Sequence, residues 1–502
     1  MMNTIIGNER EIIKLLRTAG CCHRCCLRFI GSRETNYYED PLLALEKLEY
    51  LDKSDIVNTP CTVCLGILQD ELFQSAIQKT SEEIIRGNYD CDTFTVALTI
   101  PVLILLRERS LQIYLSQSLK LSDEAFRELK LQTQSIKEIW KLLAVPKIEN
   151  LTNKIGEAQK VTSVFLVDIF FSHSRDEEEC VALLKKCNAE KKSGNSRHKN
   201  REISYSRKNV ESTLDTLNDD QFVDNCTIPP TSVENFATID KVNCAHSSLF
   251  IGGRYNKLSR NLCQTPWFIN GERKMETSVQ ELLCDPILKH VQADSMKFLS
   301  SGREDVDVRM LNNGRPFAVE LLNPRITKFP EGFEKLVMDI NKNSEIVQIT
   351  SNLKLLSKLD LKKLKEGENE KTKNYRAFCI CKPNENTSDL INKLNDLKNL
   401  EIVQKTPIRV LHRRPLASRI RMIHSIRAQL IKSEELEKFS VELKNLEGNE
   451  LFVVDVKTQA GTYVKEFVHS DFGRTVPSLC SLLQTDVDII ALDVTGINLN
   501  WP

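Results

Sequence analysis

Two cysteine pairs stand out as residues that can do chemistry. Cys22-His-Arg-Cys25 and Cys61-Thr-Val-Cys64 are C-x2-C knuckles with 35 residues between them. A tetrahedral zinc takes four thiolates, and each knuckle offers two on one tight turn. The separation exceeds that of a compact zinc ribbon, so a helix or loop must be inserted between the knuckles. Cys21 and Cys26 offer x3 alternatives and His23 a ring nitrogen, but only Cys22 and Cys25 make the x2 spacing. Four thiolates leave no open coordination position, and neither an HExxH nor a deaminase-type HxE accompanies them, so the expected zinc is structural. The chain has 16 cysteines, and those outside the first 64 residues are scattered singly or as the lone Cys379-x-Cys381, which reads as reduced thiols and not as a disulfide framework.

A second chemical signal is acidic. In SSGREDVDVRMLNNGRPFAVELLNPR, strand alternation puts Val306, Val308 and Met310 on one face and Arg303, Asp305, Asp307 and Arg309 on the other. The plainer explanation is a solvated sheet face with cross-strand ion pairs, and alternation alone does not separate Asp305 from Asp307. Asn-Asn-Gly-Arg then reads as a hairpin turn into PFAVELL. Cations and aromatics gather nearby: Arg254, Lys257 and Arg260 interleave with Tyr255 and Trp267, and residues 401–430 hold seven Lys/Arg against one acidic residue. Such stretches suit phosphate contacts with stacking platforms for bases, and equally suit ordinary solvated faces. QAGTYVKEFVHSDFGRT packs a glycine turn, an aromatic and two cations into a short compass, a density unusual for a structural loop.

The elements that must position these residues fall into three zones. The first, to about residue 70, carries the clustered cysteines. The second, to about residue 240, joins the helical SEEIIRGNY, the strand-like TFTVALTIPVLILL, a long helical stretch near LSDEAFRELKLQTQSIKEIWKLLAV and the buried strand VTSVFLVDIFFSH, an α+β pattern. Its end, KKCNAEKKSGNSRHKNREISYSRKNVES, is nearly free of apolar residues and reads as a basic linker or insertion over 186–240. The third zone, 245–502, mixes the strands SSLFIGG, EDVDVRML, PFAVELL, NYRAFCICK, LFVVDVKTQ and IIALDVTGINL with the helices SVQELLCDPILKHVQ, FEKLVMDINKN and DLINKLNDLKNL. Strands outnumber what βαβ alternation gives, so the sheet should be mixed.

Composition bounds the answer further. The 502 residues allow two to four domains, and 41% hydrophobic with 27% charged residues is the make-up of a folded protein. The 69 Lys+Arg balance 69 Asp+Glu, so a nucleic-acid partner must be held by local patches. The longest apolar run, Phe94 to Leu106, is well short of the roughly 20 residues a membrane span needs, and the amphipathic, acid-containing start has neither secretory nor transit character. The expectation is an intracellular chain without a membrane partner.

Taken together, CCHRC with CTVCLGIL, GRYNKLSRNLCQTPWFINGERK, SGREDVDVRML with GRPFAVELLNPR, NYRAFC, RVLHRRPLASRIR and TQAGTYVKEFVHSDFGRTVPSL with LDVTGI resemble the archaeal and eukaryotic Pus-ten family of tRNA pseudouridine synthases. The likeness is nearly continuous from residue 245 to the end and patchier before it. It implies an α+β protein: a C-terminal pseudouridine synthase mixed-sheet domain over 245–502, preceded by a four-cysteine region over 1–70 with Cys22, Cys25, Cys61 and Cys64 on zinc, and a THUMP-like RNA-binding domain over 71–185. Of the two aspartates, the GRxD motif selects Asp305 as catalytic, with Arg303 beside it. The resemblance places Tyr375 against the target base, Tyr463 as a second substrate contact, and Arg474 as the cation partnering Asp305.

The implied reaction isomerises uridine to pseudouridine in the TΨC loop of tRNA, at positions fifty-four and fifty-five, by a monomer in cytoplasm and nucleus. Breaking the C1′–N1 bond and rejoining through C5 needs no redox or phosphate cofactor. It needs an ionised carboxylate, which an unperturbed Asp supplies at neutral pH and a neighbouring arginine protects in a dry pocket. The competing expectation is a non-catalytic RNA-binding scaffold in which Asp305 is incidental.

Overall fold

The computed structural model describes residues 8–50, 59–157, 163–192, 205–370, 372–383, 385–436 and 448–502. The chain divides into two compact units, 1–247 and 248–502, each with its own buried apolar clusters. The middle of the stretch read as a basic linker, 193–204, lies outside the described residues, as do the first seven residues.

The first unit packs helices around a four-stranded sheet. Its strands are β1 (Thr93–Thr99), β2 (Ile155–Gly156), β3 (Phe165–Ser172) and β4 (Thr238–His246), in the order β2-β1-β3-β4. β1 runs parallel to β2 and β3, and β4 is antiparallel to β3. Alternation makes these strands: in β3, Phe165, Val167, Ile169 and Phe171 are buried while the residues between them are not. The strand-like run TFTVALTIPVLILL is a strand only as far as Thr99. After Pro101 it becomes the helix Leu103–Leu119, because proline cannot donate to a sheet ladder and suits the start of a helix. The long helical stretch is two helices, Asp123–Gln132, capped by the Ser122 hydroxyl, and Ile136–Thr152. The end of the basic stretch is also helical, at Arg207–Thr216 and Asp219–Asn225.

The second unit is built on one large sheet. Its strands are β5 (Leu249–Lys257), β6 (Phe268–Ile269), β7 (Glu272–Arg273), β8 (Ser295–Ser300), β9 (Arg309–Leu322), β10 (Val347–Ile349), β11 (Lys354–Leu355), β12 (Lys373–Cys381), β13 (Lys398–Lys405), β14 (Ser418–Leu430), β15 (Glu450–Thr458), β16 (Thr475–Val476) and β17 (Val487–Ile497). β6 and β7 form a separate hairpin; the other eleven follow the path β10-β5-β9-β17-β12-β15-β14-β13-β16, with β11 on β5 and β8 on β9. The sheet is mixed, as expected. β9 and β17 are parallel through Arg309↔Asp493, and the remaining pairs are antiparallel.

Two details of the acidic segment differ from the sequence reading. EDVDV is not a strand: residues 301–308 form a looped strip, and the strand begins only at Arg309. Asn-Asn-Gly-Arg is not a hairpin turn either, but a bulge inside the continuous strand β9, whose pairing with β5 jumps from Lys257↔Met310 to Tyr255↔Arg315. Gly314, at φ +73°, makes this possible, since a Cβ there would lie 2.6 Å from the Tyr255 carbonyl oxygen.

Candidate active site and metal centre

The strip 301–308 is held from behind by buried polar groups. Lys257, at the end of β5, is fully buried and its Nζ donates to the backbone carbonyls of Asp305 (3.0 Å), Val306 (2.7 Å) and Val308 (2.7 Å). Burial pushes its ammonium down to about 8, against the opposing pull of Glu304, Asp307 and Asp305. Arg315 forms a buried ion pair with Glu304 at 2.5 Å and donates to Ser301 O at 2.7 Å. The Tyr255 hydroxyl donates to Glu304 at 2.7 Å, and Gln264 Nε2 donates to that hydroxyl and to Gly302 O. With its backbone fixed on the inner side, the strip turns the carboxylates of Asp305 and Asp307 outward.

Asp305 and Asp307 then meet cations from the other half of the sheet. Arg409, on the single-turn 3-10 helix Ile408–Val410, reaches Asp305 Oδ2 at 2.9 Å and Glu466 Oε1 at 2.7 Å. Lys465 Nζ lies 3.7 Å from Asp305 and 2.6 Å from Asp307. The order is therefore Glu466, Arg409, Asp305, Lys465, Asp307, with Glu466 buried and Asp305 partly open to solvent. Burial alone would raise the Asp307 carboxyl, but the hydrogen bond and charge of Lys465 prevail and hold it below the usual range. Lys465 and Glu466 sit on the helix Val464–His469, whose N-cap is Tyr463.

The sequence-selected residues converge only in part. Tyr463 is fixed by Gln404, which accepts from its N–H and donates to its carbonyl, both at 2.9 Å. Tyr375, on β12, shares a face with the buried Ala377 and Cys379; burial raises its phenol, and Arg315 is the opposing charge beside it. Arg303 is exposed on the strip. Arg474 is not the partner of Asp305. It pairs with Asp471 at 3.5 Å and donates to Thr406 O at 2.6 Å, because the turn Ser470–Gly473, with positive φ at all four residues, aims it at the base of the segment carrying Arg409. The cations that reach Asp305, Arg409 and Lys465, were not singled out for that role. Lys465 follows Tyr463 by two residues in the quoted TYVKEF, and Arg409 opens RVLHRR, but only tertiary placement shows which cation reaches the carboxylate.

The four cysteines of the knuckles come together in the first unit. The sulfurs of Cys22, Cys25, Cys61 and Cys64 all lie within 4.8 Å of one another and are buried, with Cys22 Sγ 3.8 Å from Cys64 Sγ. Tetrahedral thiolates at about 2.3 Å from a zinc would be about 3.8 Å apart, so the donor set and its spacing fit. Cys22 is the N-cap of the helix His23–Phe29, and the second knuckle is locked to the first by Thr62 N–H on Gly20 O and Cys22 N–H on Cys61 Sγ. Cys21 and Cys26 are buried but stand outside this group.

Comparison with known proteins assigns both units. Residues 250–498 match the family described as "Pus10, C-terminal" and residues 61–244 the one described as "Eukaryotic Pus10, N-terminal". The chain is 38% identical to the human "tRNA pseudouridine synthase Pus10" and 35% identical to that of Mus musculus, in each case over 100% of this chain and 99% of the relative. The protein of the same name from Thermofilum pendens is 35% identical over 50% of this chain and 52% of its own length.

Proposed function

The chain belongs to the Pus10 family and is a tRNA pseudouridine synthase, and from that premise we propose that it isomerises uridines fifty-four and fifty-five of the TΨC loop with Asp305 as the catalytic carboxylate. The observation that carries the assignment is the setting of Asp305: a partly open carboxylate on a strip clamped from behind, with Arg409 at 2.9 Å and Lys465 at 3.7 Å in front. Two cations balance the carboxylate's charge when substrate displaces water, and an anionic carboxylate is what the reacting nucleoside requires. Asp307 is spoken for by Lys465 at 2.6 Å and serves to place that lysine. The target base must leave its stack, which costs a few kcal/mol, and the rings of Tyr375 and Tyr463 offset part of that by contact with the base. The chemistry is a bond exchange, C1′–N1 for C1′–C5, so it draws on no redox partner.

The N-terminal unit we assign as a THUMP-like RNA-binding region carrying one zinc on Cys22, Cys25, Cys61 and Cys64. Four thiolates complete the coordination, so the metal would fasten the two knuckles together and take no part in the reaction.

The test is pseudouridine mapping in an unmodified tRNA transcript. Asp305→Asn keeps the side-chain size and removes the charge, so product should vanish while tRNA affinity stays near wild type. Asp307→Asn should lower the rate only partly. Wild-type single-turnover rates in Asp305→Asn would refute the assignment and favour a scaffold.

A further inference from the structure

The reverse face of the large sheet carries an arrangement that the catalytic site does not use. Register aligns one cross-strand row through five strands: Arg427 on β14 stands opposite Asp455 on β15, Asp455 opposite Arg376 on β12, Arg376 opposite Asp493 on β17, and Asp493 opposite Arg309 on β9. Charges alternate along it. Arg376 grips Asp455 at 2.7 and 2.8 Å and Arg309 grips Asp493 at 2.9 and 2.6 Å, with Arg260, outside the row, also on Asp493 at 2.7 Å, so both aspartates are neutralised. Arg427, at its end, is exposed and makes no ion pair among the described residues.

The adjacent row, two residues along each strand and therefore on the same face, has no acid at all. It runs Lys398, Ser425, Lys457, Asn374 across β13, β14, β15 and β12. Lys398 and Lys457 are exposed and, among the described residues, unpaired. Both rows line one open concavity of about 950 Å³, to which five cations and two carboxylates contribute, an excess of three positive charges in a chain whose formal net charge is zero. Alternate residues of β12 face opposite ways, so the Tyr375 ring points to the other side of the sheet, with Ala377 and Cys379.

We propose that this concavity is a second RNA contact, in which Lys398, Lys457 and Arg427 hold phosphate groups of a strand remote from the target uridine. The occupant follows from the lining. Ammonium, guanidinium, hydroxyl and amide groups are those that bind phosphate and 2′-hydroxyl oxygens, and no ring is offered for stacking a base. The concavity is open to solvent, as access for a backbone requires. The proposal rests on the reading of this chain as an enzyme acting on tRNA and adds a contact outside the reacting loop.

The experiment compares wild type with Lys398→Ala/Lys457→Ala, both exposed positions, on full-length tRNA and on a short stem-loop carrying the target uridine. On full-length tRNA the double variant should bind about tenfold more weakly at low salt, and the slope of log affinity against log salt should fall by about 0.7–0.9 for each phosphate released. The stem-loop should bind as before, and the single-turnover rate at saturating RNA should not change. Unchanged affinity and slope on full-length tRNA overturns the proposal; so does an equal loss on the stem-loop, which would put the lysines on the catalytic side. If wild type made no pseudouridine while the variant still lost affinity for full-length tRNA only, the catalytic assignment would fail and this contact would stand.

Discussion

At the scale of single residues, the site depends on Lys257 as much as on the carboxylate it supports. One ammonium satisfies three backbone carbonyls of the strip bearing Asp305, a task that uses all three of its N–H bonds. With its folded pKa near 8, Lys257 loses a proton in a range where most lysines keep theirs. An unperturbed lysine titrates near 10.4, so between about 8 and 10.4 the unfolded chain binds more protons here than the folded one, and this group adds stability as pH rises. The strip behaves in the opposite way, because a neutral amine has two N–H bonds for three carbonyls. The single-turnover rate should therefore fall above about pH 8 with no matching fall in melting temperature. A rate constant that stays level to about pH 9.5 would show that the strip keeps its shape without the third bond. Lys257→Met should be harsher, since each orphaned buried carbonyl costs about 1–3 kcal/mol.

At the scale of elements, the turn Ser470–Gly473 shows strain held in place by bonds. Ser470, Asp471 and Phe472 take φ of +68°, +51° and +56°, in the left-handed region that side chains disfavour by about 1–2 kcal/mol each. The turn is kept there by Asp471, which accepts from Ile408 N–H at 3.2 Å, and by Arg474 on Thr406 O, so it fixes the segment from which Arg409 reaches Asp305. Phe472 is 94% exposed and loses no packing on truncation. Phe472→Gly should therefore raise the unfolding free energy by up to about 1 kcal/mol in denaturant titration. Asp471→Ala, which frees the Ile408 N–H and Arg474, should instead lower the rate at saturating tRNA by on the order of tenfold. How far such elements are legible in the sequence follows from where their partners lie. β12, β15 and β17 are legible as short, β-branched or aromatic apolar runs, and each is buried on both faces at its centre, at residues 377–379, 451–454 and 491–494. The strip 301–308 reads as a strand just as well, but its carbonyls are satisfied by a lysine 48 positions away, so no strand partner is needed and none forms. For the same reason Asp305 could be picked out by motif, whereas its cations, 104 and 160 positions further on, could not be chosen among the many in the basic stretches.

At the scale of the whole molecule, the chain is two folding problems. Among the described residues, the large buried cluster of the first unit runs from Ile12 to Ala237, and the clusters of the second run from Val308 to Trp501 and from Ile251 to Leu353, with a small one at Phe378 and Leu451, and none of these buried residues is shared. The knuckles sit inside the first cluster, where Cys22, Cys25, Cys61 and Cys64 are 0–4% exposed and join Leu27, Phe29 and Val63. Four thiolates crowded there without a cation would repel one another, so a bound metal and the packing of this unit stabilise each other. Apparent binding energies for structural zinc are on the order of 10–16 kcal/mol, comparable to the entire stability of a domain. Cys61→Ala removes one ligand and opens a polar gap in that cluster, so calorimetry should show two transitions in the wild type and a large downward shift of only one of them in the variant. Zinc analysis of protein purified without chelator should give one equivalent per chain in the wild type and less in the variant. A single transition that moves as a whole would mean that the units melt together, and protein with no zinc would leave the four sulfurs as a buried thiol cluster.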